Sequence, residues 1–325
     1  MLQPRIFRTK LGLASALAAL LIARAPAQES SPGAGARSAT EAPEVVDEVV
    51  VRGRRMSEIE SDLRIHVGEF IREVAAPPAG SGYGRWHRRV CVSVSNLERT
   101  AAQYLVDRIS RLAFQVGLEP GEPGCRPDVI IIFSTDGKET AAYLVQNRSS
   151  LLRPYGDSGV QRGLGALREF AESDKPVRWW HVSLPVDARL GTPAMRVPGE
   201  PSDAGATKAV KVAGPSRIHS GIRDELQHVI IIVDGPKLQG KGTTWQQLGD
   251  FLAVVSLAQI DLEADPRAFD SILNLFSNPK AYSGLTDWDL SYVRSLYSFD
   301  QERNAHLQRN EIVGRMVTQQ IDSAD

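Results

Sequence analysis

The sequence predicts an α/β fold, a mixed sheet flanked by helices with a helical C-terminus, and leaves α+β open as the other arrangement. Three observations carry this. Strand-like and helix-like patterns alternate from Val90 to Asn147, as layered α/β folds with right-handed crossovers require. A second apolar run, "HVIIIVD" at 228–234, leads into a glycine-rich loop and an apolar helix. Beyond it, Pro266 to Phe276, Asp287 to Tyr297 and Gln301 to Ile321 read as three further helices.

Taken in order, the chain of 325 residues is 42% hydrophobic, enough for one large domain or two small ones. Residues 1–27 carry Arg5, Arg8 and Lys10, then the apolar run Leu11 to Ala23, then Ala25-Pro26-Ala27. This is the pattern of a secretory signal peptide cleaved after Ala27. The apolar run is about 13 residues, short of the roughly 20 that a spanning helix needs. Cleavage would leave Gln28, not a cysteine for lipid attachment, at the new N-terminus, so a periplasmic or secreted product without a transmembrane span is expected. The charge then moves from −1 to −5, since Arg5, Arg8, Lys10 and Arg24 are lost and 34 basic side chains face 39 acidic ones. That balance argues against nucleic acid, whose phosphates call for clustered Lys and Arg.

Residues 28–44, "QESSPGAGARSATEAPE", are small, polar and proline-rich, which marks a disordered tether. "VVDEVVVRGRR" at 45–55 reads as a short strand. From Ser57, a plausible cap, apolar residues at Ile59, Leu63, Val67, Phe70, Ile71 and Val74 recur at helical spacing, with His66 read as a solvated position. After the breaker "PPAGSGYG", Val90, Val92 and Val94 alternate as a strand, and a helix to Gly117 presents Leu105, Ile109, Leu112 and Val116 on one face. "DVIIIFSTD" suits a strand buried on both faces, and Asp136 with Glu139 caps the next helix. "VRWWHVSLP" at 177–185 is another strand, on which Trp179 and not Trp180 shares a side with His181. Residues 191–214, rich in Gly, Pro and Ala, form a flexible insertion in an α/β domain covering 45–300. A C-terminal helical segment, 301–325, is laid against that domain or projects from it.

Cys91 and Cys125 are the only cysteines. In an exported chain they pair as a disulfide or remain two buried thiols, and two are too few for structural zinc.

The loop after the second apolar run matches GxxxxGK through Gly235, Gly240 and Lys241, the spacing of a phosphate loop. However, Gly242 replaces the magnesium-binding Ser or Thr, and Pro236 removes an amide where phosphate would be cradled. No nucleotide is therefore expected, and Thr243 and Thr244 read as helix caps. Asp261, Glu263 and Asp265 have calcium-loop spacing, but Pro266 and Ile272 stand where glycine and glutamate are needed. Asp287 and Asp289 after Thr286 read as capping residues. No GxSxG elbow occurs.

Two resemblances add to this. Val49 to Val51 followed by Gly53 and Arg54 resembles the segment after the signal peptide of TonB-dependent outer-membrane receptors, over about ten residues and without the barrel that such receptors need. The combination "SRIHSGIRDELQHVIIIVD", "QLGDFLAVVSLAQID", "ILNLF" and "GLTDWDLSYVRSLY", within 216–297, resembles a group of exported proteobacterial proteins similar in layout to zincin-type metallopeptidases. That layout implies an edge strand, an active-site helix and a C-terminal Leu-Tyr turn. Zincins need two histidines at i and i+4 with a glutamate between them. Gln247 to Val254 supply none, and no pair among the six histidines has that spacing.

The resemblance thus implies a peptidase-like scaffold without metal or cofactor and with no catalytic residue. It also implies a binding groove at Trp179, His181, Gln247 and Asp250, with Gln246 on the same polar edge. The expectation is an exported, non-catalytic binding or envelope-associated protein with a periplasmic or envelope partner. The alternative is a divergent hydrolase whose active site is unrecognised.

Overall fold

The computed structural model describes residues 45–78, 81–153, 162–194, 196–197, 208–209 and 220–323, with backbone alone for 45–56 and for 196–197 and 208–209. The expected signal peptide and tether, and most of the 191–214 insertion, lie outside the described residues. The chain divides into two compact units at Val49 and Val50; the sheet and the core belong to the second.

Helix α1 (Val45–Val74) is followed by β1 (Arg89–Val90), β2 (Val92–Ser95), α2 (Arg99–Gln115), β3 (Glu119–Pro120), β4 (Val129–Ser134), α3 (Gly137–Asn147), α4 (Ser149–Leu152) and α5 (Gly163–Glu172). Then come β5 (Val177–Asp187), β6 (Arg196–Val197), β7 (Lys208–Ala209), β8 (Ile222–Asp234), α6 (Gly235–Leu238), α7 (Trp245–Leu257), α8 (Asp287–Ser298) and α9 (Ala305–Asp322). The main sheet has the order β2-β4-β8-β5; the first three strands are parallel and β5 is antiparallel to β8. The mixed α/β class is therefore as the alternation of patterns predicts. Apolar runs occupy the middle of the sheet because parallel strands are covered on both faces. Val229 to Val233 are wholly buried, and in β4 Val129 and Ile131 are buried while Ile130 and Ile132 are half-buried.

Side-chain alternation on β5 fixes the two layers. Trp179 meets Phe251 of α7 at 5.8 Å between ring centroids, whereas Trp180 bonds the Leu152 carbonyl and lies 6.2 Å from Phe170 of α5. Helices α2 and α7 thus cover one face and α3 to α5 the other. Helix α1 docks Phe70 edge-on against Tyr292 and Trp288 of α8, and α9 closes on α8 through Ile312, Met316 and Val317. Among the described residues no helix is long and apolar enough to cross a membrane.

Capping follows the sequence closely. Asp136 accepts from the Glu139 amide, Thr286 and Asp289 form a capping box on α8, and Gly117 ends α2 with φ of +85°. Cys91 and Cys125 form a disulfide with Cα atoms 6.2 Å apart. Gly121 lies against it so closely that a Cβ would be 3.0 Å from the Cys91 Cα.

Four expectations need correction. Residues 45–55 are helical, not a strand, and α1 passes through Ser57 without a cap there. Valine lowers helix propensity by only roughly half a kcal/mol, too little to prevent the helix from running through these positions. His66 is half-buried and not fully solvated, its ring lying 4.8 Å from that of Phe269 and 5.3 Å from that of Trp288. Pro266 to Phe276 forms two separate 3₁₀ turns, Pro266–Ala268 and Ile272–Asn274. Here the Asn274 side-chain amide donates to the Pro266 and Phe269 carbonyls, which a continuous helix would need for itself. Helix α9 starts at Ala305, because Gln308 turns its amide back onto the carbonyls of Gln301 and Arg303.

The supposed breaker is also more than a loop. Residues Ser81 to Trp86 run as a buried strap. Gly82 N donates to Asp224 Oδ2 (2.6 Å), Tyr83 N to Gln308 Oε1 (2.9 Å) and Gly84 N to Gln259 Oε1 (2.9 Å). Arg85 bridges β8 beside Glu225, and its guanidinium donates to the Leu296 and Phe299 carbonyls at the end of α8. The glycines are required: a Cβ at Gly84 would lie 2.7 Å from Gln259 Oε1 and 3.2 Å from the Ser183 Cβ. Displacing Gln259 would release its bonds to Gly84 N and Ser183 Oγ inside the core. Gly84→Ala is accordingly expected to lower unfolding free energy by about 2 kcal/mol, measured by urea denaturation, through buried groups left unpaired.

Candidate functional site

Helix α7 forms because Thr244 and Gln247 satisfy each other's backbone amides as a capping box, and because every residue from Gln247 to Leu257 is buried. Trp245, at the first position, is 48% exposed and meets Phe133 at 6.3 Å. The loop before it makes the helical turn α6, capped by Asp234 on the Lys237 amide, and then turns at Gly240 and Gly242 with positive φ.

Three polar residues of α7, Gln246, Gln247 and Asp250, are engaged within the fold. Gln247 Nε2 donates to the carbonyls of Pro279 (2.7 Å) and Tyr282, and Gln246 Nε2 to that of Ser283 (3.2 Å). Asp250 takes Arg108 of α2 in a two-pronged pair, Nε to Oδ1 at 2.8 Å and Nη2 to Oδ2 at 2.6 Å, and also accepts from Leu285 N. Gly284 lies so close that a Cβ there would be 2.5 Å from Asp250 Oδ2. Gln246, Gln247 and Asp250 therefore come together as a clamp on the 279–285 segment.

His181 lies under the middle of α7, with Nε2 2.8 Å from the Val255 carbonyl. A carbonyl only accepts, so Nε2 carries the proton. Burial pushes the imidazole down to about 4, so the ring is neutral at pH 7. Trp179 is pinned by its indole N–H to the Ile260 carbonyl at 2.8 Å. Among the described residues no three His, Cys, Asp or Glu side chains converge as a metal set.

A cleft of about 260 Å³ opens between the start of β5, the flank of α7 and the 260–277 segment. Trp179, Phe251 and Phe276 make its aromatic wall, with the two phenyl rings 4.7 Å apart and edge-on. Lys175, Asp265 and Arg267 stand at its rim. Of the five residues singled out in the sequence, Trp179 lines this cleft; His181 is sealed beneath α7, and the clamp residues face the 279–285 segment. The cleft exists because residues 266–276 are not a helix. Asp265 caps the Arg267 amide and Ser271 the Leu273 amide, so two starts fall six positions apart. That pair of capping residues is the signal that periodicity alone passes over.

A second polar cluster lies at the carboxyl ends of β4 and β8. Arg178 is wholly buried there; burial lowers its pKa, while Asp234, Asp174 and Asp136 oppose the shift. Asp234 accepts from Gly137 N at 3.1 Å, and Lys237 pairs with Asp174. Arg178 and Asp234 are the buried members of this cluster, while Asp174 and Asp136 lie exposed at its edge; Asp234 ties β8 to the start of α3 through the Gly137 amide.

No family model matches the chain, and no curated protein or solved structure is similar to it.

His181 gives the fold a defined acid sensitivity. The unfolded imidazole binds its proton near pH 6.5 and the folded one only near 4, so in that window the unfolded chain holds more protons and stability falls as pH falls. From pH 7 to 4.5 this contributes a loss of about 2 kcal/mol. His181→Gln, which keeps a donor for the Val255 carbonyl but does not titrate, is expected to show a pH dependence shallower by that amount in urea unfolding at the two pH values.

Proposed function

We propose that this chain is an exported, non-catalytic binding protein of the periplasm or cell envelope, and that the cleft beside α7 is where it binds. The observation that carries the reading is the use to which α7 puts its polar side chains. Gln246, Gln247 and Asp250 are consumed by Arg108 and by the backbone of 279–285, and the accessible feature left on the helix flank is an aromatic wall. In the layout implied by the sequence resemblance, this helix would present metal-ligating histidines; here the same positions clamp a loop. The Cys91–Cys125 disulfide suits an oxidising compartment, as does the signal-like N-terminus. Apolar clefts bordered by a few polar groups are the usual form of a binding site.

The test is direct. Chain expressed with its natural N-terminus is recovered from the periplasmic fraction and examined for its first residue, its zinc content and its action on a peptide mixture with and without chelator. The expected product begins at Gln28, carries zinc well below one equivalent and leaves the peptides intact. Stoichiometric zinc together with chelator-sensitive cleavage would overturn the reading in favour of a divergent hydrolase.

A further inference from the structure

The two edges of the main sheet are finished differently. Strand β5 carries Pro185 and a register shift between Val182 and Ser183, is buried from Val177 to Val186, and has its Pro185 carbonyl taken by Ala194 N. Prolines, bulges and covering segments are the devices that keep an edge from pairing with another chain. Strand β2, at the opposite edge, has none of them. Its residues Val92–Ser95 read "VSVS", without charge, proline or register shift, and all four are half-buried, partly open to solvent.

The hydrogen bonds on either side of Cys91 show which way the free groups point. The Cys91 carbonyl accepts from Val129 N of β4, whereas the Val90 carbonyl accepts from Gly121 N on the outer side. Backbone groups alternate sides along a strand, so Ser93 and Ser95 bond β4, and the N–H and C=O of Val92 and Val94 point outward. Strand β3 covers the outer side only as far as Val90, and among the described residues nothing bonds Val92 or Val94 there. After Ser95 the chain turns off at Asn96, with φ of +60°.

Two outward residues around one inward residue form a pattern that matches itself. When two such strands lie antiparallel about Ser93, Val92 of each meets Val94 of the other, and each pair exchanges two hydrogen bonds with no outward group left over. Arg88 and Arg89 stand before the edge and Glu98 after it, all exposed, so the same pairing brings opposite charges toward each other. Helix α2 allows the approach. Arg108 turns to α7, so Ala102, Val106 and Ser110 lie on the other side of the helix, over the β2 edge. These three are half-buried, small and uncharged, which lets a second helix come close.

We propose that β2 is a self-association edge: two copies of this chain pair β2 antiparallel about a two-fold axis at Ser93, joining two four-stranded sheets into one, with the α2 flanks packed across the axis. The proposal is independent of the cleft beside α7 and of the zinc and cleavage assays.

The test is the mass of the purified mature chain by sedimentation equilibrium at micromolar concentration, expected to be that of two chains. In the proposed pairing Ser93 faces Ser93 of the second copy at a non-hydrogen-bonded position, where Cα atoms lie about 4.5 Å apart, within the range of a disulfide. Ser93→Cys is therefore expected to run as a covalent dimer on a non-reducing gel and as a single chain after reduction. Ser93→Asp and Ser93→Lys each set like charges face to face and are each expected to sediment as one chain, and mixing the two is expected to restore the mass of two. Val106→Arg, on the helix flank, is expected to give one chain as well, and thermal unfolding shows that each variant is folded. A wild-type mass of one chain, a Ser93→Cys variant that stays unlinked under oxidant, or folded charge variants that keep the mass of two chains would overturn the proposal.

Discussion

Three successive backbone amides, those of Gly82, Tyr83 and Gly84, are bound by side chains from β8, from α9 and from the turn after α7. This strap is the constraint on which the surrounding architecture depends. Extended backbone buried away from a sheet must find acceptors for its amides, and each one left unpaired costs about as much as a lost hydrogen bond. Here the acceptors are supplied by residues distant in sequence, so the strap forms only when β8, α7 and α9 are all in place. Each acceptor is itself held: Gln259 donates to Ser183 Oγ, Gln308 donates to the carbonyls of Gln301 and Arg303, and Gln301 donates to the Asp224 carbonyl. A network in which every member holds another joins the sheet to the C-terminal helices more specifically than apolar contact alone would.

The same logic governs the helix that most resembles a catalytic element. On a helix buried on nearly all its circumference, long polar or charged side chains without a partner are costly. In α7 the partners are Arg108, the carbonyls of 279–285 and the Leu285 amide, and His181 below it is satisfied by a carbonyl. Such groups are closed off by the fold. What stays open is the cleft on the flank, where the 260–277 segment breaks into 3₁₀ turns and Trp179, Phe251 and Phe276 form part of the lining. Function on this scaffold is accordingly sought in the shape and ring chemistry of that cleft.

Much of the fold was legible in the sequence where one strong local pattern decides the structure. "VIIIFS" and "HVIIIVD" read as strands, Leu105, Ile109 and Leu112 declared the inner face of α2, and Thr244 and Thr286 announced helix starts. The opposite faces of Trp179 and Trp180 followed from strand alternation alone. What escaped depends on distant partners or on weak preferences. Val45 to Val51 have strand propensity, yet the backbone continues a helix. "GSGYGRW" looks like a turn, since nothing near it in sequence shows that Asp224, Gln259 and Gln308 await its amides. Gln247 and Asp250 are visible as polar residues on an apolar helix, but whether they face a ligand or a loop is decided by residues 279–285, some thirty positions away.

The central claim is that the buried polar groups of this fold serve its own backbone and that the strap is locked by them. Native-state hydrogen exchange of the Gly82, Tyr83 and Gly84 amides tests it most directly. The account expects these three to exchange only through global unfolding, with opening free energies equal to those of Ile230 and Ile231 in the central strand. Exchange at rates typical of exposed loops, while the central strand stays protected, would contradict it.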